Sequence, residues 1–291
     1  MQIPAKILLF GEHIVLQGAD ALALPWPNFS GTWALASEDQ RPSLQQQLPT
    51  LLAFLKKQAI GRLLDLERFE VDLKTGLYFN SNIPTGYGAG SSGALCAAIF
   101  HRYLRIGPKL DLPELKAALG AVESFFHGSS SGTDPLICYL NQAVLLSGDG
   151  AIQAVELPRS SMRFFVIDTG ISRQTGPWVE KFLEKSQGQA LKKVLQSELI
   201  PASNQAIQAI LNQAPSALWQ SMDVISKVHF QHLTSFIPPA FHELWEQGLT
   251  MDGFKLKICG AGGGGFILGL ARSEAVIKHL GASYLVHSVG L

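Results

Sequence analysis

The chain has 291 residues, enough for one or two domains whose cores need no staples. Lys plus Arg and Asp plus Glu both number 23, so the net charge is zero, which argues against the basic field of a nucleic-acid surface. Three scattered cysteines, Cys96, Cys138 and Cys259, make no CxxC pair, so neither a disulfide framework nor a zinc site follows. The first residues lack the basic region of a signal peptide, and the apolar runs fall far short of a membrane span. A cytoplasmic globular protein with no membrane partner is the expectation.

Residues 3–10 are apolar except for Lys6 and read as a strand whose start is set by Pro4. Alternation puts Lys6 on one face with Leu8 and Phe10; on this segment alone, a lysine snorkelling off the strand end is the expectation. Gly11-Glu12-His13 follows and sets two ionisable groups at the strand's exit. Ile14–Leu16 and Ala21–Leu24 flank Gln17-Gly18-Ala19-Asp20 as the arms of a hairpin, and Trp26 and Trp33 read as packing residues. Residues 43–58 suit an amphipathic helix, and residues 69–81 a hairpin around Lys74-Thr75-Gly76.

Next comes Ile83-Pro84-Thr85-Gly86-Tyr87-Gly88-Ala89-Gly90-Ser91-Ser92-Gly93-Ala94, with four glycines between Gly86 and Gly93. Such a cluster marks unusual dihedrals or a very close approach. It feeds a helix of about 91–105, so free backbone N–H groups and the positive dipole end would face a phosphate. A serine-capped glycine turn is the plainer alternative. Asp111-Leu112-Pro113-Glu114 is a helix start with an Asp cap, and its apolar stripe runs through Leu115, Ala118, Leu119, Val122 and Phe126. Glu123 borders that stripe; a buried carboxylate in want of a cation and a partly exposed one fit the pattern equally. The small residues from Gly128 to Thr133 suggest a tight loop delivering Asp134 before Pro135.

Strands are expected near 143–147 and 152–156, then a domain seam at Pro158–Ser161 and a buried strand over Phe164–Asp168. Helices follow at about 174–188, 189–213, 216–233 and 240–248. A second cluster, Gly260-Ala261-Gly262-Gly263-Gly264-Gly265, lies between two short strands, and the chain closes with a helix at about 272–281 and a strand at about 283–288.

The first glycine loop is no P-loop, because no lysine lies between Thr85 and Ile99. Gly88-x-Gly90-x-x-Gly93 matches the dinucleotide fingerprint, with Asp111 about twenty residues on. But Asp111 reads as a helix cap, and that reading leaves Lys6, Glu123, Asp134 and the second glycine cluster without a role.

Together the pieces resemble one family, the GHMP kinases. Pro4 to Gly18 is similar to the family's first motif in its mevalonate kinase form, Pro84 to Ala94 to the second, and Lys257 to Gly265 to the third. Glu123 to Asp134 resembles the mevalonate kinase stretch that runs Glu, His-Gly, Ser-Gly-x-Asp. The resemblance implies an α+β, two-domain GHMP kinase fold: an N-terminal ribosomal-protein-S5-like domain over 1–158, carrying ATP binding and catalysis, and a C-terminal ferredoxin-like α/β-plait domain over 159–291 on the substrate side, with the site in the cleft between them. It implies ATP and Mg²⁺ as cofactors. Asp134 would be the general base and Lys6 its paired cation. Pro84, Gly86, Gly88, Ala89, Gly90, Ser91 and Ser92 would cradle the ATP phosphates, and Ser92 and Glu123 would ligate the metal. Glu12, His13, Gly262 and Gly263 would lie on the substrate side. The implied reaction is phosphorylation of a small hydroxy acid, mevalonate first, with phosphomevalonate, homoserine or sugar kinases and a non-catalytic relative as alternatives. The partners are ATP and the small substrate, and a homodimer is one assembly the resemblance allows. The family's second motif usually reads Gly-Leu-Gly-Ser-Ser-Ala; Ala89 and Gly93 depart from it and suggest a looser loop.

Overall fold

The computed structural model describes residues 1–40, 46–105, 109–158 and 162–290. The chain divides into two compact units: residues 1–6, 25–84 and 89–142 form one, and 7–24, 85–88 and 143–291 the other. Strands β1 (Gln2–Phe10) and β2 (Ala21–Leu35) each contribute residues to both. The seam expected at Pro158–Ser161 falls partly on residues 159–161, outside the described ones.

In the first unit, the outer half of β2 pairs antiparallel with β3 (Leu77–Ser81), from Gly31 opposite Ser81 to Leu35 opposite Leu77. Helices α1 (Leu48–Lys57) and α2 (Leu66–Lys74) precede β3, and α3 (Ser91–Tyr103), α4 (Leu112–His127) and α5 (Thr133–Leu140) follow it. The first arm of the hairpin expected over 69–81 is instead α2. Leu66, Phe69 and Leu73 recur at helical spacing and are buried, and Asp65 caps the helix by accepting from the Arg68 N–H. The helix expected over 43–58 begins at Leu48; Ser43–Gln45 lie outside the described residues. Asp111 and Glu114 form a full capping box on α4, as the sequence predicts. Trp33, Phe69, Phe79 and Tyr103 pack edge-on and tilted in this core.

In the second unit, Ala21–Ala23 pair with β4 (Ala143–Leu146), which pairs with β5 (Ile152–Val155). Ile14–Leu16, expected as a strand arm, is a 3-10 turn, Ile14–Gln17, ended by Gly18 in the left-handed region at φ 83°. A separate antiparallel sheet follows in the order β7-β8-β6-β9, made of β6 (Arg163–Asp168), β7 (Phe254–Ile258), β8 (Phe266–Ala271) and β9 (Val286–Val289). Counted along the chain, that order is 2-3-1-4, the split βαβ arrangement expected of an α/β plait. Between β6 and β7 lie α6 (Thr175–Ser186), α7 (Gln189–Val194), α8 (Ile200–Leu211), α9 (Pro215–His232) and α10 (His242–Thr250); α11 (Glu274–Leu280) links β8 to β9. The single helix expected over 189–213 is interrupted by a π turn at Leu195–Leu199. No helix among the described residues is long and apolar enough to cross a membrane.

Candidate active site

The first unit gathers the residues expected to do the chemistry. Lys6 does not snorkel. Residues 3–7 of β1 are all buried, so both faces of the strand are covered and alternation gives the ammonium no route to water. Its Nζ lies 2.9 Å from Asp134 Oδ2, with the lysine side chain 8% exposed and the carboxylate side chain 38%. Asp134 sits in the first turn of α5, where the helix dipole favours a negative charge.

Two glycines fix this delivery. Gly132 caps α5 at φ 73°, and a Cβ there would fall 2.0 Å from the Lys116 carbonyl oxygen of α4. The loop after α4 therefore folds back hard against its own helix before α5 begins. Gly93, in the first turn of α3, has no room for a Cβ either: it would meet Pro135 N at 2.9 Å and Asp134 C at 3.0 Å. The departure that suggested a looser loop is instead a requirement of the close packing of α3 on α5. Ala89 is held as well, its carbonyl accepting from the Lys6 N–H at 3.0 Å.

Gly90 precedes α3 in the left-handed region, φ 77°, and no side chain caps the helix start. A first turn whose N–H groups no described side chain caps is what an anion cradle needs. A Cβ on Gly90 would meet Lys6 Cγ at 2.8 Å, so this glycine makes room for the lysine. Ser92, in the first turn of the helix, donates to Glu123 Oε1 at 3.0 Å, and Ser130 donates to Glu123 Oε2 at 2.5 Å. His127 Nε2 lies 3.1 Å from the Ser92 hydroxyl. Glu123 is 5% exposed, and burial, then the nearby Asp134, pushes its pKa up. It makes no salt bridge among the described residues. Of the two readings the sequence left open, the buried one holds.

A buried carboxylate beside a serine hydroxyl, with no cation, fits a hard divalent ion. The described residues contain no cluster of three or more His, Cys, Asp or Glu side chains able to cage a metal. The fit to such an ion rests on the adjacent Ser92 and Glu123 oxygens.

The second unit holds the residues expected on the substrate side. Glu12 is sealed in, its carboxylate paired with Lys257. His13 sits at φ 63°, its ring stacked on Phe182 at 4.3 Å and edge-on to Phe236, with Nε2 3.2 Å from the Ala261 carbonyl oxygen. Burial lowers its pKa to about 4, so it is neutral and Nε2 carries the proton that it donates. Gly262 and Gly263 are glycines for close packing: Cβ atoms there would meet Phe236 at 2.9 Å and Trp178 at 2.0 Å.

Arg173, given no role in the sequence analysis, is the feature that sequence reasoning missed. It is 9% exposed, yet its Nε and Nη2 find no hydrogen-bond partner among the described residues, while Nη1 donates to Thr175 at 2.9 Å. Cβ atoms built on Gly88 or Gly260 would each come within 3.1 Å of Nη2, and Gly86 O accepts from the Arg173 N–H at 3.0 Å. The guanidinium thus lies against both glycine clusters. The only sequence signal was one charge in an otherwise small, polar stretch after β6.

Comparison with known proteins finds similar chains. Residues 53–142 match the family model for the GHMP kinases N terminal domain. A mevalonate kinase of Archaeoglobus fulgidus is 28% identical over 290 residues, covering 93% of this chain and 92% of that protein. The L. major mevalonate kinase, solved with R-mevalonate, superposes with a TM-score of 0.68 at 18% identity, covering 99% of this chain and 94% of that one. The Streptococcus pneumoniae phosphomevalonate kinase gives 0.70 at 16% identity, covering 99% and 98%. At such identities the structural matches establish the fold.

Proposed function

We propose, from the premise that the chain belongs to the GHMP kinases, that it transfers the γ-phosphoryl group of ATP to the primary hydroxyl of mevalonate, giving 5-phosphomevalonate for isoprenoid precursor synthesis. The observation that carries the reaction type is the Lys6–Asp134 pair, 2.9 Å apart, in the unit that also joins Ser92 to Glu123. Phosphoryl transfer asks a protein for in-line positioning and charge neutralisation more than for covalent chemistry, and these side chains supply both.

Asp134 accepts the proton of the substrate hydroxyl as its oxygen bonds to the γ-phosphorus and the bond from that phosphorus to the β-bridging oxygen breaks. ADP departs with the electron pair. Lys6, already beside the carboxylate, keeps Asp134 ionised before the transfer and offsets the negative charge that develops on the substrate oxygen as its proton leaves. The N–H groups at the start of α3, with the backbone of Pro84 and Gly86–Ser92, hold the phosphates. Ser92 and Glu123 would hold Mg²⁺, which supplies charge neutralisation on the phosphate oxygens.

Acid specificity is supported by Arg173. A nearly buried guanidinium with two unpartnered nitrogens asks for an anion, and a planar carboxylate matches its fork. His13 and Gly262–Gly263 line the same side in this reading. The test is ADP release with mevalonate, phosphomevalonate, homoserine and galactose as acceptors. Turnover with mevalonate above the others is expected; turnover confined to another acceptor overturns the substrate, and none with any overturns the kinase reading.

A further inference from the structure

Glu12 presents a puzzle for any role in direct substrate contact. Its side chain is 4% exposed and that of Lys257 is 2%. The carboxylate is occupied by the Lys257 ammonium and by the Gly260 N–H, and burial, opposed by Lys257, pushes its pKa up. A ligand would find almost no oxygen surface on it. Lys257 is equally spent: its Nζ also donates to the Ile258 carbonyl at 2.9 Å and lies 5.5 Å from the Phe10 ring centroid.

What the pair touches is more telling than the pair itself. Glu12 belongs to the Gly11-Glu12-His13 turn at the exit of β1, and Lys257 to the end of β7, just before the glycine cluster. Gly260, the first glycine of that cluster, stands at φ 67° and donates to Glu12. One residue further on each side, His13 Nε2 donates to the Ala261 carbonyl. The turn and the cluster are therefore clasped at three successive points: Lys257 to Glu12, Gly260 to Glu12, and His13 to Ala261. The clasp acts together with the stacking on Phe182 to hold His13 at φ 63°, a backbone conformation unfavourable for a non-glycine residue. Behind it, His229 Nδ1 accepts from the Ile258 N–H at 3.1 Å and fixes the strand end from the other side.

We propose that Lys257 is a positioning residue for the substrate side of the site, acting through Glu12 to set the place of His13 and of the backbone of Gly260–Gly263. The proposal rests on the reading of His13 as a substrate-side residue. Two like-sized apolar residues would give similar packing there, and buried ion pairs are often no more stabilising than such replacements. What an apolar pair would lose is the direction: a carboxylate that orders the Gly260 N–H and holds the turn in one register.

The experiment compares wild type with Lys257→Met and with the double variant Glu12→Gln, Lys257→Met, which leaves no unpaired buried charge should the single variant fail to fold. Two readouts are taken at one pH on folded protein. The first is the His13 Nε2–H resonance in imidazole-selective NMR, which needs no substrate. It is expected as a slowly exchanging signal in wild type and to be lost or broadened in either variant. The second is kinetic: the KM for the hydroxy acid is expected to rise about tenfold or more, with the KM for ATP within about twofold, the size of a contact coupling of this kind. An unchanged His13 signal in the folded double variant overturns the proposal, whatever the substrate proves to be. A lost signal with both KM values raised alike also overturns it, since the clasp would then be structural. A lost signal in an enzyme that turns over no hydroxy acid refutes the substrate reading and, with it, this role of His13, while leaving the clasp itself standing.

Discussion

Two lysine–carboxylate pairs set the two units apart. In the first, Lys6 is buried but Asp134 keeps 38% of its side chain exposed, so the carboxylate can meet a ligand. In the second, Glu12 and Lys257 are both sealed, at 4% and 2%, and the pair closes on itself and on the backbone. The chemistry of the partners is the same; access to the carboxylate separates a group that can exchange protons from one that can only hold geometry. The surroundings follow suit. Asp134 stands at a helix N-terminus near a second carboxylate, Glu123, while Glu12 stands among Phe10, His13 and the second glycine cluster.

The largest effect expected from this contrast is on turnover. Asp134→Asn should lower kcat by about 10²–10⁴-fold, the range for loss of a general base, with ATP binding largely intact in calorimetric titration. Activity that survives would place the base elsewhere. Next comes stability. Lys257→Met leaves Glu12 buried and unpaired and should cost about 3–5 kcal/mol in urea unfolding. Lys6→Met should cost clearly less, because water reaches Asp134; the reverse order would break the comparison. Smaller again, Gly93→Ala puts a Cβ 2.9 Å from Pro135 N, where only backbone can give way. About 1–3 kcal/mol of destabilisation is expected by thermal unfolding, with a lower kcat because Asp134 is moved.

The smallest effect is a drift with pH in the second unit. His13 is held neutral in the fold with its pKa near 4, below the ordinary 6.5, by burial first. The unfolded chain therefore binds the extra proton in that window, and the folded state loses stability as pH falls from 6.5 toward 4 and keeps it in full above 6.5. The contribution lost is about 1.4 kcal/mol by pH 5.5. His13→Phe keeps the ring and should flatten this part of the curve; an unchanged slope would mean that His13 is not buried neutral.

Much of the first unit was legible in the sequence because its signals are local. Asp111 and Glu114 announce α4, the glycines between Gly86 and Gly93 announce a helix start, and the small residues before Asp134 announce a tight turn. What was not legible depends on residues distant in sequence. Lys6 looked free because alternation counts one face of a strand, whereas β1 is covered on both. Gly93 looked like looseness because nothing in its own segment reveals that Pro135 lies against it. The Glu12–Lys257 pair spans 245 positions, and no periodicity reports such a contact. Residues 69–74 were read as a strand arm because the turn signal at Lys74-Thr75-Gly76 outweighed the helical spacing of Leu66, Phe69 and Leu73.

The central claim is tested most directly by ³¹P NMR of the wild-type protein with ATP, Mg²⁺ and mevalonate. ADP is expected together with a new phosphomonoester resonance split by the two protons of an adjacent CH₂, as phosphorylation of the primary hydroxyl requires. ADP with inorganic phosphate alone, or no change in the ATP resonances, would contradict it.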